Sequence, residues 1–257
     1  MEFTVDTHQW QPGDPLPHLT EAHLLGETSL ARSYAINDAY VAHELVLPAD
    51  QYLGLGLLDH ITEHGYTAPR LIEIVDNTLI MEHIHGPTLF QALVSGETSY
   101  ADGAEIVDAL HRALHDIPLP KNADQFVGKE HHHLLRGTDH ERASNLAIIH
   151  LDLHPANIIL AADGAYPINW ECARIGPPDL DRASTALAIG VVASEVNELQ
   201  QASREYLHQL HRLFGNGYLR YLDEANAHHK THPDLTDEDR GHLDTAQLVV
   251  RDVASQQ

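Results

Sequence analysis

The chain has 257 residues, enough for one large domain or two lobes with a sizeable core, and its apolar share of 43% is ordinary for a globular protein. Fifteen Lys plus Arg stand against 38 Asp plus Glu, a formal charge of −23, so the surface repels nucleic acid and anionic lipid. No run of about 18 apolar residues suggests a membrane span, Met1 to Trp10 carries no apolar signal segment, and the single cysteine, Cys172, has no internal disulfide partner; a cytoplasmic protein is the expectation.

Taken in chain order, residues 11–20 hold Pro12, Pro15 and Pro17 and read as irregular. Leu24 to Val46 suits strands, with a polar turn at Gly26-Glu27-Thr28-Ser29 and a hairpin turn at Asn37-Asp38 between Tyr34–Ile36 and Tyr40–Ala42. Residues 49–64 predict a helix with Leu53, Leu57, Leu58 and Ile61 on one stripe, weakened by Gly54 and Gly56. A second hairpin runs from Leu71–Val75 through Asp76-Asn77 into Thr78–Glu82. His85-Gly86-Pro87 then breaks the pattern, and helical periodicity takes over: Leu89–Val94, Ala104–Leu114, and the long stretches 179–196 and 199–225. A lobe boundary is therefore expected at 83–87, dividing the chain into 1–85 and 86–257. Residues 228–239 read as a polar loop before a last helix.

Histidine is abundant, at 22. The run His131-His132-His133 could mark a metal site, but no second cluster shows clear ligand spacing, and a solvated stretch is the plainer reading.

The segment that carries chemistry is Ala147-Ile-Ile-His150-Leu-Asp152-Leu-His154-Pro-Ala-Asn157-Ile-Ile-Leu160, an apolar run entering and leaving a polar loop. Tyr166-Pro-Ile168-Asn169-Trp-Glu171 returns as another short strand. Alternation at His150, Asp152 and His154 could present three zinc ligands from one strand face, but that reading leaves Pro155, Asn157 and the Ile-Asn-Trp-Glu segment without a purpose.

His-x-Asp-x-x-x-x-Asn followed about twelve residues later by Ile-Asx-Trp-Glu resembles the aminoglycoside phosphotransferase family, which is similar to choline kinases and more distantly to protein kinases. The resemblance implies an α+β, bilobal, protein-kinase-like fold with a small sheet-rich N-lobe and a larger helical C-lobe. It implies an ATP- and Mg2+-dependent phosphotransferase of a small hydroxylated molecule. Asp152 is then the carboxylate that orients the acceptor hydroxyl, with His150 holding the catalytic loop. Asn157 and Asn169 fall at the metal positions, Glu82 and Ile84 at the hinge that meets the nucleotide, and His43 at the position of the phosphate-binding lysine. Asp181 is the buried structural aspartate, with Asp179 close by.

The same alignment exposes departures. The metal position of Asn169 is an aspartate in the family, and an amide there removes a full negative charge. His43 replaces a permanent cation, no lysine precedes Lys121, and only Arg32 and Arg70 carry such a charge in the first 85 residues. The helix glutamate that would pair with the lysine falls near Gly54. Glu171, two residues beyond Asn169, is too far along the strand to take over the metal. A pseudokinase, a non-catalytic binding or regulatory module with a protein partner, is thus the alternative to an active enzyme with a small-molecule substrate.

Overall fold

The computed structural model describes residues 10–136, 146–231 and 237–256. The N-terminal part is a five-stranded antiparallel sheet of β1 (Leu24–Glu27), β2 (Ala31–Ala35), β3 (Tyr40–Leu45), β4 (Leu71–Val75) and β5 (Thr78–Glu82), in the order β1-β2-β3-β5-β4. Both hairpins follow the expected turns, and Asp76 takes the left-handed conformation (φ 53°) that a short aspartate tolerates. The sheet is covered on both faces, which is why the adjacent residues Leu79 and Ile80 are both fully buried. Ile80 joins Ala42, Ile36 and Trp10 in a small outer core, and Leu79 joins the main core with Ala31, Leu45, Leu57, Leu58 and Ile61.

The helix expected over 49–64 is mostly not one. Only Leu58–Glu63 (α1) is α-helical, preceded by 3-10 turns at Ala49–Gln51 and Leu53–Leu57. Gly54 is the cause: it lies so close to the C-terminal part that a Cβ there would overlap the Trp170 carbonyl oxygen and crowd the Ala173 Cβ at 2.7 Å. Tertiary packing at that bare backbone overrides the leucine stripe.

After the linker, α2 (Leu89–Ser95) starts at a capping box in which Thr88 and Gln91 satisfy each other's backbone N–H groups. Then come α3 (Tyr100–His115), a hairpin-like platform of β6 (Ala147–Ile149) with β9 (Arg174–Gly176) and β7 (Ile158–Ala161) with β8 (Gly164–Pro167), and four helices: α4 (Pro178–Ser194), α5 (Gln200–Phe214), α6 (Leu222–His229) and α7 (Asp237–Ser255). The single stretch expected over 199–225 is divided at Gly215, and helix continues to His229, past the expected start of the polar loop at 228; residues 232–236 of that expected loop lie outside the described residues. Helix α4 buries Leu180, Ala183, Ala186 and Leu187, and packs against α5, α6 and α7. No helix among the described residues is long and apolar enough to cross a membrane.

Candidate functional site

Strand β6 ends at Ile149, and residues 150–154 form a loop rather than a strand. Alternating residues therefore do not share a face, and the zinc reading of His150, Asp152 and His154 fails. His150 is fully buried, its Nδ1 accepts the Asp152 N–H (3.2 Å), its Nε2 donates to the Ile168 carbonyl (3.1 Å), and its ring lies 4.5 Å from that of Trp170. Burial, above all, lowers its pKa, so the ring is a neutral strut.

The loop is held from behind by α4. Asp181 accepts N–H groups from His150 (3.1 Å) and Leu151 (2.7 Å), which steadies Leu151 at φ 66°. Thr185 donates to the Leu153 carbonyl at 2.7 Å, and Ser184 donates to the Leu151 carbonyl. Asp181 also meets His111 and His115 of α3.

On the open side, Asp152 lies 3.3 Å from His154 Nε2 and accepts a 2.7 Å bond from Asn157 Nδ2. Burial pushes the Asp152 carboxyl up, but His154 foremost, with His229 and His150, brings it down to about 2. Burial pushes His154 down, and Asp152 more than reverses this, leaving the imidazole above its ordinary value. Asp152 is thus an ionised acceptor, a quarter exposed, able to receive a hydroxyl.

The amide orientations follow from this carboxylate. Asn157 Nδ2 faces the Asp152 carbonyl (3.0 Å) and Oδ2 (2.7 Å), so it must be the NH2 end. Asn157 Oδ1 therefore points the other way, where it accepts a 2.9 Å bond from Asn169 Nδ2. Asn169 is left-handed (φ 63°), a conformation asparagine tolerates, and it opens the 3-10 turn Trp170–Cys172 rather than continuing a strand.

That turn carries Glu171 away from the Asn157–Asn169 pair and across to β3. Glu171 hydrogen-bonds His43 Nε2, and both side chains are buried. With Nε2 donating to the carboxylate, His43 Nδ1 accepts the Ser33 hydroxyl at 2.7 Å. The two arginines of the first 85 residues are engaged with glutamates, Arg32 with Glu21 (2.7 Å) and Glu27 (3.3 Å), Arg70 with Glu82 (3.2 Å). The Glu82 side chain is thereby committed to Arg70 at the edge of the sheet. The hinge backbone is tied to the β2–β3 turn by the bond from the His83 N–H to Ala39 (2.9 Å), while Ile84 is half-buried.

The structure brings Asp152, His150, Asn157 and Asn169 together, sets His43 against Glu171, and keeps Glu82 apart. His154 as the partner of Asp152, and Glu171 as the partner of His43, were not anticipated. A sequence signal existed only for the first, in the spacing His-Pro-Ala-Asn beside Asp152. The second pairs residues 128 positions apart. A cavity of about 250 Å³ remains between the two parts, lined by Leu30, Leu47, Tyr52, Leu53, Cys172 and Arg174 among others.

Magnesium with ATP would require oxygen ligands, at least one of them a further carboxylate, and a cation for the phosphates. Here the Asn157 oxygen is taken by an N–H, Asn169 turns its NH2 toward it, and the cation position holds a histidine rather than a permanent cation. These residues do not fit the group.

No family model matches the sequence, and no curated protein matches it. Solved structures match over nearly the whole chain. A thermostable mutant of aminoglycoside phosphotransferase APH(4)-Ia, in ternary complex with AMP-PNP and hygromycin B, is 15% identical with a TM-score of 0.60, over 89% of this chain and 92% of that one. The gentamicin complex of APH(2")-IIa is 14% identical with a TM-score of 0.54, over 89% and 90%. ADP-bound APH(2'')-Ib is 15% identical with a TM-score of 0.54, over 91% and 92%. The chain has the kinase-like fold of the aminoglycoside phosphotransferases.

Proposed function

We infer that this chain, built on the aminoglycoside phosphotransferase scaffold, is a pseudokinase: a binding or regulatory module whose cleft is held together by its own side chains. The observation that carries the reading is the bond from Asn169 Nδ2 to Asn157 Oδ1 at 2.9 Å. It puts an N–H where a metal-binding cleft needs an oxygen, and it neutralises the Asn157 lone pair without any ion. Position 43 has the same sense, since an imidazole stands there in place of the permanent cation that triphosphate needs. Gly54 lets the 3-10 turn rest on Trp170, so no helix glutamate stands there, and the carboxylate beside position 43 is Glu171 instead.

The test is a thermal-shift titration with ATP, with and without Mg2+. A ligand that binds the native state raises its melting temperature by mass action. The expected outcome is no magnesium-dependent rise. A saturable rise at micromolar ATP that requires Mg2+ would count against the reading.

A second reading has its own support. Asp152 is ionised, partly exposed and held by Asn157 and His154, which suits it to receive a substrate hydroxyl. An ATP-dependent phosphotransferase of a small hydroxylated molecule, like the aminoglycoside complexes it is similar to, would use that carboxylate. It would need both asparagine amides to turn over and His43 to leave Glu171. Phosphorylated product from a panel of aminoglycosides would favour this reading.

A further inference from the structure

Behind the loop, away from the cleft, three ligand atoms converge on one point. His111 and His115 stand one helical turn apart on α3, and Asp181 faces them from α4. Asp181 Oδ2 lies 3.2 Å from His111 Nδ1 and 2.9 Å from His115 Nε2. His111 and Asp181 are completely buried, and His115 is the least enclosed of the three.

The hydrogen-bond pattern around His111 has one donor too few. The Thr185 hydroxyl gives its proton to the Leu153 carbonyl at 2.7 Å. The 3.0 Å contact between Thr185 Oγ1 and His111 Nε2 must therefore use a proton on Nε2. That leaves Nδ1 of the neutral ring as a bare lone pair, aimed at a carboxylate oxygen. Two acceptors at that distance in a buried site repel unless something positive lies between them. A second proton on His111 would let it and the His115 Nε2–H both donate to Asp181 Oδ2 at the cost of a buried charged imidazole, whereas one zinc ion meets the same three atoms with both rings neutral. His115 Nδ1 has no hydrogen-bond partner, so neither tautomer of that ring is favoured by its far side.

We propose that His111 Nδ1, His115 Nε2 and Asp181 Oδ2 bind one zinc ion. Zinc bonds of about 2.0–2.2 Å in a tetrahedron place ligand atoms roughly 3.3 Å apart, so small movements open the triangle to receive the ion. Two imidazoles with one carboxylate suit zinc better than magnesium or calcium, which prefer all-oxygen sites. The supporting bonds are also of the kind that zinc ligands use: Thr185 fixes the His111 tautomer, and the Leu151 N–H holds the other Asp181 oxygen at 2.7 Å. On binding, the His115 proton moves from Nε2 to Nδ1, and solvent takes the fourth position on the His115 side. Because Asp181 also holds the backbone at 150 and 151, the ion fastens α3, α4 and the loop together.

The experiment uses the full chain purified without a metal-affinity tag, because a chain with 22 histidines picks up surface metal. Elemental analysis after gel filtration should find about one zinc per chain. A chelator should remove it and lower the melting temperature, and added zinc should restore both. Cobalt substitution should give the visible bands of a tetrahedral site. His111→Gln and His115→Gln should lose the metal, while His131→Gln, in the separate Glu130–His131–Glu224 group, should keep it. A zinc-free chain whose melting is unmoved by chelator or zinc would overturn the proposal, as would metal lost from His131→Gln but kept by His111→Gln. Should the buried variants fail to fold, the metal content and cobalt spectrum of the unaltered chain decide. Nucleotide plays no part in any of these readouts.

Discussion

Asn169 illustrates how one atom exchanged for another redirects a site. Its NH2 satisfies Asn157 Oδ1, which Asp152 has already oriented by taking the other end of the Asn157 amide. Asn169→Asp alone places a carboxylate oxygen against that acceptor. The variant should lose about 1–3 kcal/mol of stability in metal-free buffer, and Mg2+ should return part of the loss, as read by urea melts with and without the ion. Equal stability in metal-free buffer would show that the amide bond has no worth. The Asp152–His154 contact makes a second, pH-dependent statement. Asp152 is held at about 2 against an ordinary 3.8, so its contribution is complete above the ordinary value and is lost as pH falls toward 2. His154 is held above its ordinary 6.5, so its contribution is complete below 6.5 and fades as pH rises through the folded value. The two overlap between roughly pH 4 and 6.5. The melting-temperature deficit of Asp152→Asn should be greatest in that window and shrink on either side. A deficit that stays flat from about pH 5 to about pH 9 would contradict the pairing.

Among the elements, the 3-10 turn Leu53–Leu57 matters most, because it is where the N-terminal sheet rests on the turn Trp170–Cys172. Gly54→Ala should cost about 3 kcal/mol or more, since its methyl would meet backbone on a rigid turn. Gly26→Ala, with nothing within 4 Å of the added carbon, should be close to neutral in the same denaturant series. Comparable costs at the two sites would show that the close approach at Gly54 is not real. It also follows that a glutamate cannot be installed at Gly54. This turn also marks the limit of what could be read in the residues. The hairpins were legible because Asn37-Asp38 and Asp76-Asn77 carry their turn chemistry locally. The loop from His150 to Asn157 was legible because its spacing is itself the chemistry. The leucines at 53, 57 and 58 suggested a helix, and only a contact with residues 170 and 173 decides otherwise. The pairing of His43 with Glu171, and of His111 and His115 with Asp181, likewise depends on how distant elements meet.

At the scale of the whole molecule the kinase-like fold is present, and the pseudokinase reading proposes that the charges that handle triphosphate are not. A net charge of −23 surrounds a cleft whose candidate cation is a histidine bound to a buried glutamate, and the arginines of the sheet are paired with glutamates of their own. On the proposed reading, such a molecule opposes the approach of ATP at long range and does not compensate at close range. His43→Lys with Asn169→Asp supplies both missing charges, and Glu171 is already placed to hold the new ammonium group. Neither change alone should suffice, because triphosphate needs a cation and a metal together. Isothermal titration calorimetry of Mg·ATP into the unaltered chain and the double variant addresses the central claim most directly. The account predicts no heat of binding for the unaltered chain and saturable, magnesium-dependent binding for the double variant. Mg·ATP bound by the unaltered chain as tightly as by the double variant would contradict it.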